Sequence, residues 1–457
     1  MRTVNKRIVF LVVIAIIFFV FVDILMFSMF SHSEEYAMNS KNSHLFSNGV
    51  LVNAGTIKDT NGVALASSKN GKRYYSSDTV IREAMLHALG DDKGYISGGV
   101  ENTFRKELCG YNIVTGVTST SNPTLYLTLD SQISADAYEK LGEHKGCIIV
   151  ANYKTGKIIA MATSPSYDIY NVPDDIEDNE KYEGVYIDRI FKGLYTPGST
   201  FKTVTSLAAI ENISDIYDQT FTCNGSYKYD DGEIICMDTH GTLTFQQALN
   251  RSCNVAFAQI ANEVGASKLE STFNESGLAN SYETPDRITT QASSFGDIDK
   301  SSKSQVGWTG IGQYKTLVNP YAYLIYMCAI ANGGTAYKPY YVDYSKTSGG
   351  RYLYQAQEVD SGVKINSDYA KQLKELMRSD VRDYYGDYMF GNVTMCGKSG
   401  TAQVEGQDNS NSLFVGFSYD DSFPYASVAV VENAGAGLKY AGQLTADIMN
   451  EIYNKSN

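Results

Sequence analysis

Basic charge is in short supply in this 457-residue sequence: 38 Lys and Arg stand against 51 Asp and Glu, a formal net charge of -13. Phosphate backbones are held by clustered cations, so nucleic acid is excluded as a partner. Histidine is scarcer still. None of the five, His32, His44, His87, His144 and His240, sits in a Gly-x-Ser-x-Gly elbow or at metal-ligand spacing, so they read as structural, with His240 alone near a motif described below. The seven cysteines contain no Cys-x-x-Cys pair, an absence that argues against a structural zinc site. Cys223 and Cys236 flank a Gly- and Asp-rich loop and are candidates for a disulfide outside the cell, although sequence does not fix a pairing. Cys147, Cys328 and Cys396 lie in apolar surroundings and read as small core residues. Gly391 with Gly397-Lys398-Ser399 imitates a phosphate-binding loop, but the intervening run is one residue too long and no helix follows. No cofactor and no metal are expected.

What is present is enough apolar material for a sizeable core, 43% of residues, over a length that suits two globular domains plus an anchor. Arg2, Lys6 and Arg7 precede an apolar run from Ile8 to Phe30 interrupted by Asp23. A helix needs about 20 residues to cross the hydrocarbon core, whereas the apolar part of a cleaved signal is about 7 to 15. The run is therefore read as an uncleaved signal anchor, basic end in the cytoplasm and the remainder outside. Asp23 either reaches the outer interface or meets a helix of another membrane protein.

Residues 32–142 are polar, mixed and rich in turns, with no catalytic cluster. Asn61-Gly62 marks a hairpin between strands, Leu125 to Leu129 reads as a strand, and Ser131 to Leu141 as a helix. From residue 143 the pattern changes. Cys147 to Ala151 and Lys157 to Thr163 are apolar runs joined by a turn, a strand hairpin opening a second domain. An acidic surface loop, Asp174 to Glu183, follows. Further on, Gly241 to Asn250 and Val255 to Val264 read as helices, Gly307 to Gln313 as a glycine-rich loop, Asn319 to Ala331 and Asp368 to Val381 as helices, Leu413 to Ser418 and Tyr425 to Glu432 as paired strands after a polar loop at 405–412, and Leu438 to Tyr453 as a final helix.

The chemistry lies in three short clusters. Tyr195 to Thr203 contains Ser199 and Lys202, and the spacing of Phe201, Val204, Leu207, Ala208 and Ile210 predicts a helix beginning near Ser199. Lys202 then stands one turn beyond Ser199 on the same face. A lysine in water titrates near 10.4 and is no base; burial or a neighbouring cation lowers it to where a free amine accepts a hydroxyl proton. Ser252 and Asn254 flank Cys253 in a turn before the Val255 helix, where either is also a candidate N-cap. Lys398-Ser399-Gly400-Thr401 lies on a strand-like stretch.

Ser-x-x-Lys, Ser-x-Asn and Lys-Ser-Gly in that order resemble the signature of penicillin-binding proteins and serine β-lactamases. Residues 55–62, Gly-Thr-Ile-Lys-Asp-Thr-Asn-Gly, are similar to a segment characteristic of class B penicillin-binding proteins, with Ala54 and Thr60 where arginines are usual. Lys154-Thr155-Gly156, Ala160-Met161, Arg189, Gly193-Leu194-Tyr195 and Gly310 to Gln313 also resemble segments of that family. The resemblance implies an α+β transpeptidase domain, an antiparallel sheet flanked by helices with a helical lobe carrying Ser252 and Asn254, on a mixed pedestal behind a transmembrane helix. The expected division is 1–31 anchor, 32–142 pedestal and 143–457 transpeptidase domain. No room remains for a fused glycosyltransferase, so the resemblance implies a separate glycan polymerase of the shape, elongation, division and sporulation type as partner.

The resemblance further implies a peptidoglycan D,D-transpeptidase that cross-links stem peptides and is acylated by β-lactam antibiotics. Ser199 is the expected nucleophile, Lys202 its base and Ser252 a proton relay. Lys398 is expected to lower the Lys202 pKa and attract the terminal carboxylate of acyl-D-Ala-D-Ala; Asn254, Ser399, Gly400 and Thr401 line the substrate. Backbone N–H groups of Ser199 and Thr401 would form the oxyanion hole. A β-lactamase or D,D-carboxypeptidase shares this set and differs in passing the acyl group to water. A penicillin sensor or an idle scaffold fits less well, since only seven residues precede the anchor and the catalytic set is intact.

Overall fold

The computed structural model describes residues 2–456 except 38–45, 48–49, 52–53, 92–93, 113–115, 118–121, 405 and 407–408. His44, Asn53 and part of the expected polar loop at 405–412 lie outside the described residues. The rest is mixed α and β, as expected.

A five-stranded sheet is the frame of the larger unit. Its spatial order is Ile158–Ser164, Gly146–Asn152, Tyr425–Val431, Asn411–Ser418, Met395–Ala402, and every neighbouring pair is antiparallel. Side chains alternate across a strand. Thus Cys147, Ile149 and Ala151 enter one core while Ile148 and Val150 enter the other, and Val428 and Val430 part company with Ala429 and Val431 in the same way. Because both faces are covered, these strands read as unbroken apolar runs. The helix Pro320–Ala331 covers one face, and Ser131–Leu141 with Gln443–Ser456 the other. Met395–Ala402 is left as an edge strand, free to receive the Ser199 turn.

A second, six-stranded sheet runs in the order Tyr352–Gln355, Val342–Lys346, Thr124–Leu127, Thr56–Lys58, Ala64–Lys69, Lys72–Tyr75. The expected Asn61-Gly62 turn joins Thr56–Lys58 to its antiparallel neighbour, with Gly62 at φ 82°. Asp59 holds the turn: it accepts N–H bonds from Asn61 (3.0 Å) and Val63 (2.8 Å) and the Ser131 hydroxyl (2.7 Å), tying the hairpin to the helix that leads into the larger unit. Two strands of this sheet come from beyond residue 143, so the sheet is built by both sides of the expected boundary.

At the N-terminus, Arg2–Ser31 is one helix, and Asn5–Ser31 is long and apolar enough to cross a bilayer. Several element boundaries depart from expectation. Gly241–Thr244 is a strand paired with Thr220–Cys223, and the helix starts only at Phe245, because Thr244 and Gln247 form a capping box. The helix Lys303–Gly310 takes in the first four residues of the loop expected at Gly307 to Gln313, with Ser302 accepting the Gln305 N–H as its cap. The glycines suit that helix because it packs tightly: a Cβ on Gly310 would sit 2.2 Å from the Ala261 Cβ.

Candidate active site

Ser199 lies in a short 3-10 turn, Gly198–Phe201, continuous with the α-helix Lys202–Asn212. Gly198 is at φ 54°, and a Cβ there would meet the Thr401 carbonyl oxygen at 2.8 Å. A side chain on Gly400 would meet the Pro197 carbonyl oxygen at 2.7 Å. Glycine at both positions lets turn and edge strand touch. Behind the turn, the Gly198 N–H donates to the Gly312 carbonyl at 2.8 Å, which explains the glycine-rich segment there.

Lys202 is fully buried, and its Nζ is the centre of the site. It lies 3.0 Å from Ser199 Oγ, 3.1 Å from Ser252 Oγ, 2.6 Å from the Ser252 carbonyl oxygen and 2.8 Å from Asn254 Oδ1. Burial, followed by the positive charge of Lys398, brings its pKa down to about 7. Both causes were anticipated from sequence; the structure ranks desolvation first.

Ser252 is at φ 50°, a left-handed conformation that few non-glycine residues adopt. That conformation turns its carbonyl and hydroxyl toward Lys202 together. Neither Ser252 nor Asn254 caps the following helix. Cys253 does so, its sulfur accepting the Ala256 N–H, and Asn254 becomes the first helical residue. Asn254 is clamped from its other end by a 3.0 Å bond from Nδ2 to the Ile235 carbonyl.

On the edge strand, Lys398 is buried, Ser399 half-buried and Thr401 exposed. Lys398 forms an ion pair with Asp380 at 3.4 Å and donates to the Tyr385 hydroxyl at 2.9 Å. Burial opposes its charge, but Asp380 and Tyr385 outweigh burial and raise its pKa above the ordinary lysine range. Asp380 is raised to about 6, because desolvation exceeds the pull of Lys398. Tyr385 also accepts the Ser399 N–H at 3.0 Å and bonds the Ser399 hydroxyl at 2.9 Å. The Thr401 hydroxyl accepts the Gly437 N–H at 3.0 Å.

Ser199, Lys202, Ser252 and Asn254 are therefore in direct contact, whereas Lys398 reaches them through its field. Asp380 and Tyr385 escaped the sequence reading. They sit where the Ser367–Asp380 helix passes into a wider turn, and nothing local marks an acidic residue there as the partner of a lysine further along the chain. Cys223 and Cys236 are not bridged to each other or to another cysteine.

Residues 146–454 match the family described as penicillin binding protein transpeptidase domain. The peptidoglycan D,D-transpeptidase PbpA of Mycobacterium tuberculosis is 27% identical over 348 residues, 71% of this chain and 69% of that protein. Stage V sporulation protein D of Bacillus subtilis is 25% identical over 351 residues, 72% of this chain and 53% of that protein. Penicillin-binding protein A from M. tuberculosis, solved as an imipenem acyl-enzyme complex, superposes with a TM-score of 0.77 at 21% identity, over 88% of this chain and 98% of that one.

Proposed function

This chain belongs to the penicillin-binding protein transpeptidase family, and on that premise we propose how its own residues carry out acyl transfer. It is a serine-type peptidoglycan D,D-transpeptidase of the class B kind, acting on acyl-D-Ala-D-Ala and acylated by β-lactams.

The reading rests on four oxygens, two of them hydroxyls, gathered around one nitrogen. A neutral amine has two N–H groups and one lone pair. The Ser252 carbonyl and Asn254 Oδ1 only accept, so they occupy the two N–H groups, and the lone pair is left for a hydroxyl. With a pKa of about 7, roughly half of the Lys202 population is free amine at neutral pH. Lys202 takes the Ser199 proton, and Ser199 Oγ attacks the carbonyl between the two D-alanines. Ser252, 3.1 Å from Lys202, passes the proton to the departing D-alanine nitrogen. An acyl-enzyme remains. The amine of a second stem peptide attacks the ester, Lys202 takes up its proton, and Ser199 regains its own as the cross-link is made.

The N–H groups of Ser199 and Thr401 hold the oxyanion, a contribution of about 2.7–4 kcal/mol per donor. Ser399 and Thr401 hydroxyls meet the substrate carboxylate, Gly400 keeps the edge strand close to the turn, and Lys398 supplies a fixed positive field behind them. The six-stranded sheet, built from residues on both sides of 143, serves as a pedestal for the unit framed by the five-stranded sheet. Asn5–Ser31 anchors the chain in the membrane with the catalytic unit outside, where a separate membrane glycan polymerase supplies uncross-linked strands.

Labelling with a fluorescent penicillin tests this. The parent chain forms a covalent adduct and Ser199→Ala forms none. An adduct retained in Ser199→Ala would overturn the assignment of the nucleophile.

A further inference from the structure

One positive charge beside the site has no counter-charge. Arg73, Arg82, Arg189, Arg287, Arg378 and Arg382 each meet a carboxylate. Arg251, which immediately precedes Ser252, is exposed and forms no ion pair among the described residues. Its guanidinium lies instead over the Tyr384 ring, 5.5 Å from the centroid. Resting on the acyl-transfer reading above, we propose that Arg251 receives a carboxylate of a stem peptide entering over Ser252, and so selects for acidic substrates.

The position of Arg251 is fixed from both sides. The helix Phe245–Asn250 ends at this residue, whose N–H donates to the Gln247 carbonyl at 2.9 Å. Asn250 accepts a bond from the Ser379 hydroxyl at 3.0 Å, which ties that helix end to the end of Ser367–Asp380. From there the chain takes the wide turn Val381–Tyr385, closed by a 2.7 Å bond from the Gly386 N–H to the Val381 carbonyl. Such wide turns recur at functional sites. This one sends two consecutive tyrosines opposite ways: Tyr385 inward to Lys398 and Ser399, Tyr384 outward and 50% exposed. The Tyr384 ring is a flat rest on which a guanidinium stays placed without a salt bridge. The turn's own carboxylate, Asp383, is engaged at both oxygens by Arg382, at 2.6 and 2.9 Å, and does not neutralise Arg251.

A carboxylate approaching a chain of net charge -13 is repelled unless a cation faces it. Lys398 cannot come forward to meet one: its side chain is 1% exposed, and its ammonium stays bound to Asp380 and Tyr385 behind the edge strand. Lys202 acts as a free amine. Arg251 has both the charge and a vacant planar fork, which matches a carboxylate through two parallel N–H bonds. An arginine that follows a helix also serves the carbonyl groups at that helix end. That role would be blind to the charge of the substrate.

The carboxylate has two possible sources, the free C-terminus of the acyl donor and an acidic group on the amine acceptor, and two assays on the full-length protein in detergent separate them. For the donor, an N-acyl-D-alanyl thioester of mercaptoacetate is compared with its methyl ester. Ser199 Oγ forms the new ester, the C–S bond breaks, and the thiol leaves with the proton that Lys202 took from Ser199. For the acceptor, D-alanine is compared with D-alaninamide. The amine forms the C–N bond, the ester C–O bond breaks, its displaced proton passes through Lys202, and Ser199 Oγ is protonated again.

Arg251→Gln keeps the length of the side chain and removes its charge. It should lower kcat/KM roughly 10- to 100-fold for the carboxylate-bearing member of one pair and leave the uncharged member within about twofold. Arg251→Lys should restore part of the loss. A selective loss in the donor pair assigns the C-terminus, and one in the acceptor pair assigns the acceptor. Should Arg251→Gln fail to fold, Tyr384→Leu, which removes the ring and keeps the charge, should raise KM for the same carboxylate and not for its uncharged counterpart. Equal losses for both members of each pair, or no loss in either pair, would overturn the proposal. A parent chain that forms no acyl-enzyme overturns the acyl-transfer reading itself, and that failure shows before any variant is compared.

Discussion

The Nζ of Lys202 lies 2.6 Å from the carbonyl oxygen of Ser252, so the closest partner of the proposed base is a backbone atom of the neighbouring motif. That carbonyl is aimed by a left-handed residue, and the aim depends on the backbone at Ser252 rather than on its side chain. Ser252→Ala keeps the carbonyl but removes the proposed proton relay. Acylation by a fluorescent penicillin should fall by about 10²- to 10⁴-fold, the usual worth of a positioned acid or base, with the melting temperature little changed.

Acylation should also depend on pH through Lys202. Its pKa is lowered to about 7, and the free amine is the reactive form in the proposed mechanism. The second-order acylation rate is therefore expected to rise with pH and to reach half its plateau near 7. A rate independent of pH between 6 and 8, measured by stopped-flow labelling, would show that another group is the base.

Asp380 faces Lys398 in full burial. Asp380→Asn leaves a buried ammonium without its counter-charge, a loss of about 3–5 kcal/mol in denaturant unfolding of the soluble part of the protein. The same carboxylate raises the Lys202 pKa through its field, in the opposite sense to Lys398. With Lys398 still charged, the variant's acid limb moves to lower pH. A move to higher pH would mean that Lys398 has lost its proton.

Tyr385 bridges the first two residues of the edge-strand motif, since its hydroxyl accepts from both the Lys398 ammonium and the Ser399 N–H. Tyr385→Phe leaves a half-buried N–H and a buried ammonium short of a partner. A stability loss of about 1–3 kcal/mol is expected. The acylation rate should fall while the covalent adduct, once formed, remains at full stoichiometry by mass spectrometry.

Gly400→Ala tests the contact between strand and turn. The added methyl would sit 2.7 Å from the Pro197 carbonyl oxygen and 2.9 Å from Thr200 Cγ2, so the strand must withdraw from Ser199. A displacement of about 1 Å in a reacting constellation costs on the order of 100-fold. The variant should fold, keep its far-ultraviolet circular dichroism, and label about 100-fold more slowly.

The sequence by itself determined what is written locally. The apolar N-terminal run, the Ser131–Leu141 helix, the Asn61-Gly62 turn and the hairpin of Gly146–Asn152 with Ile158–Ser164 all follow from periodicity and turn chemistry over a few residues. The three motif clusters were legible for the same reason, each being a short run whose order along the chain is its signal. Where a cap competed with a periodic pattern, as at Thr244, the pattern placed the helix start too early.

Tertiary structure alone decided how those runs act on one another. A lysine becomes a base only when water is removed and a second charge is brought near, and neither condition is a property of residues 199–203. Desolvation, ion pairing and side-chain contact fall off over a few ångströms of space and are indifferent to distance along the chain. For that reason Asp380 beneath Lys398, Val342–Lys346 in the pedestal sheet, and Cys223 beside Cys253 became visible only when the chain was folded.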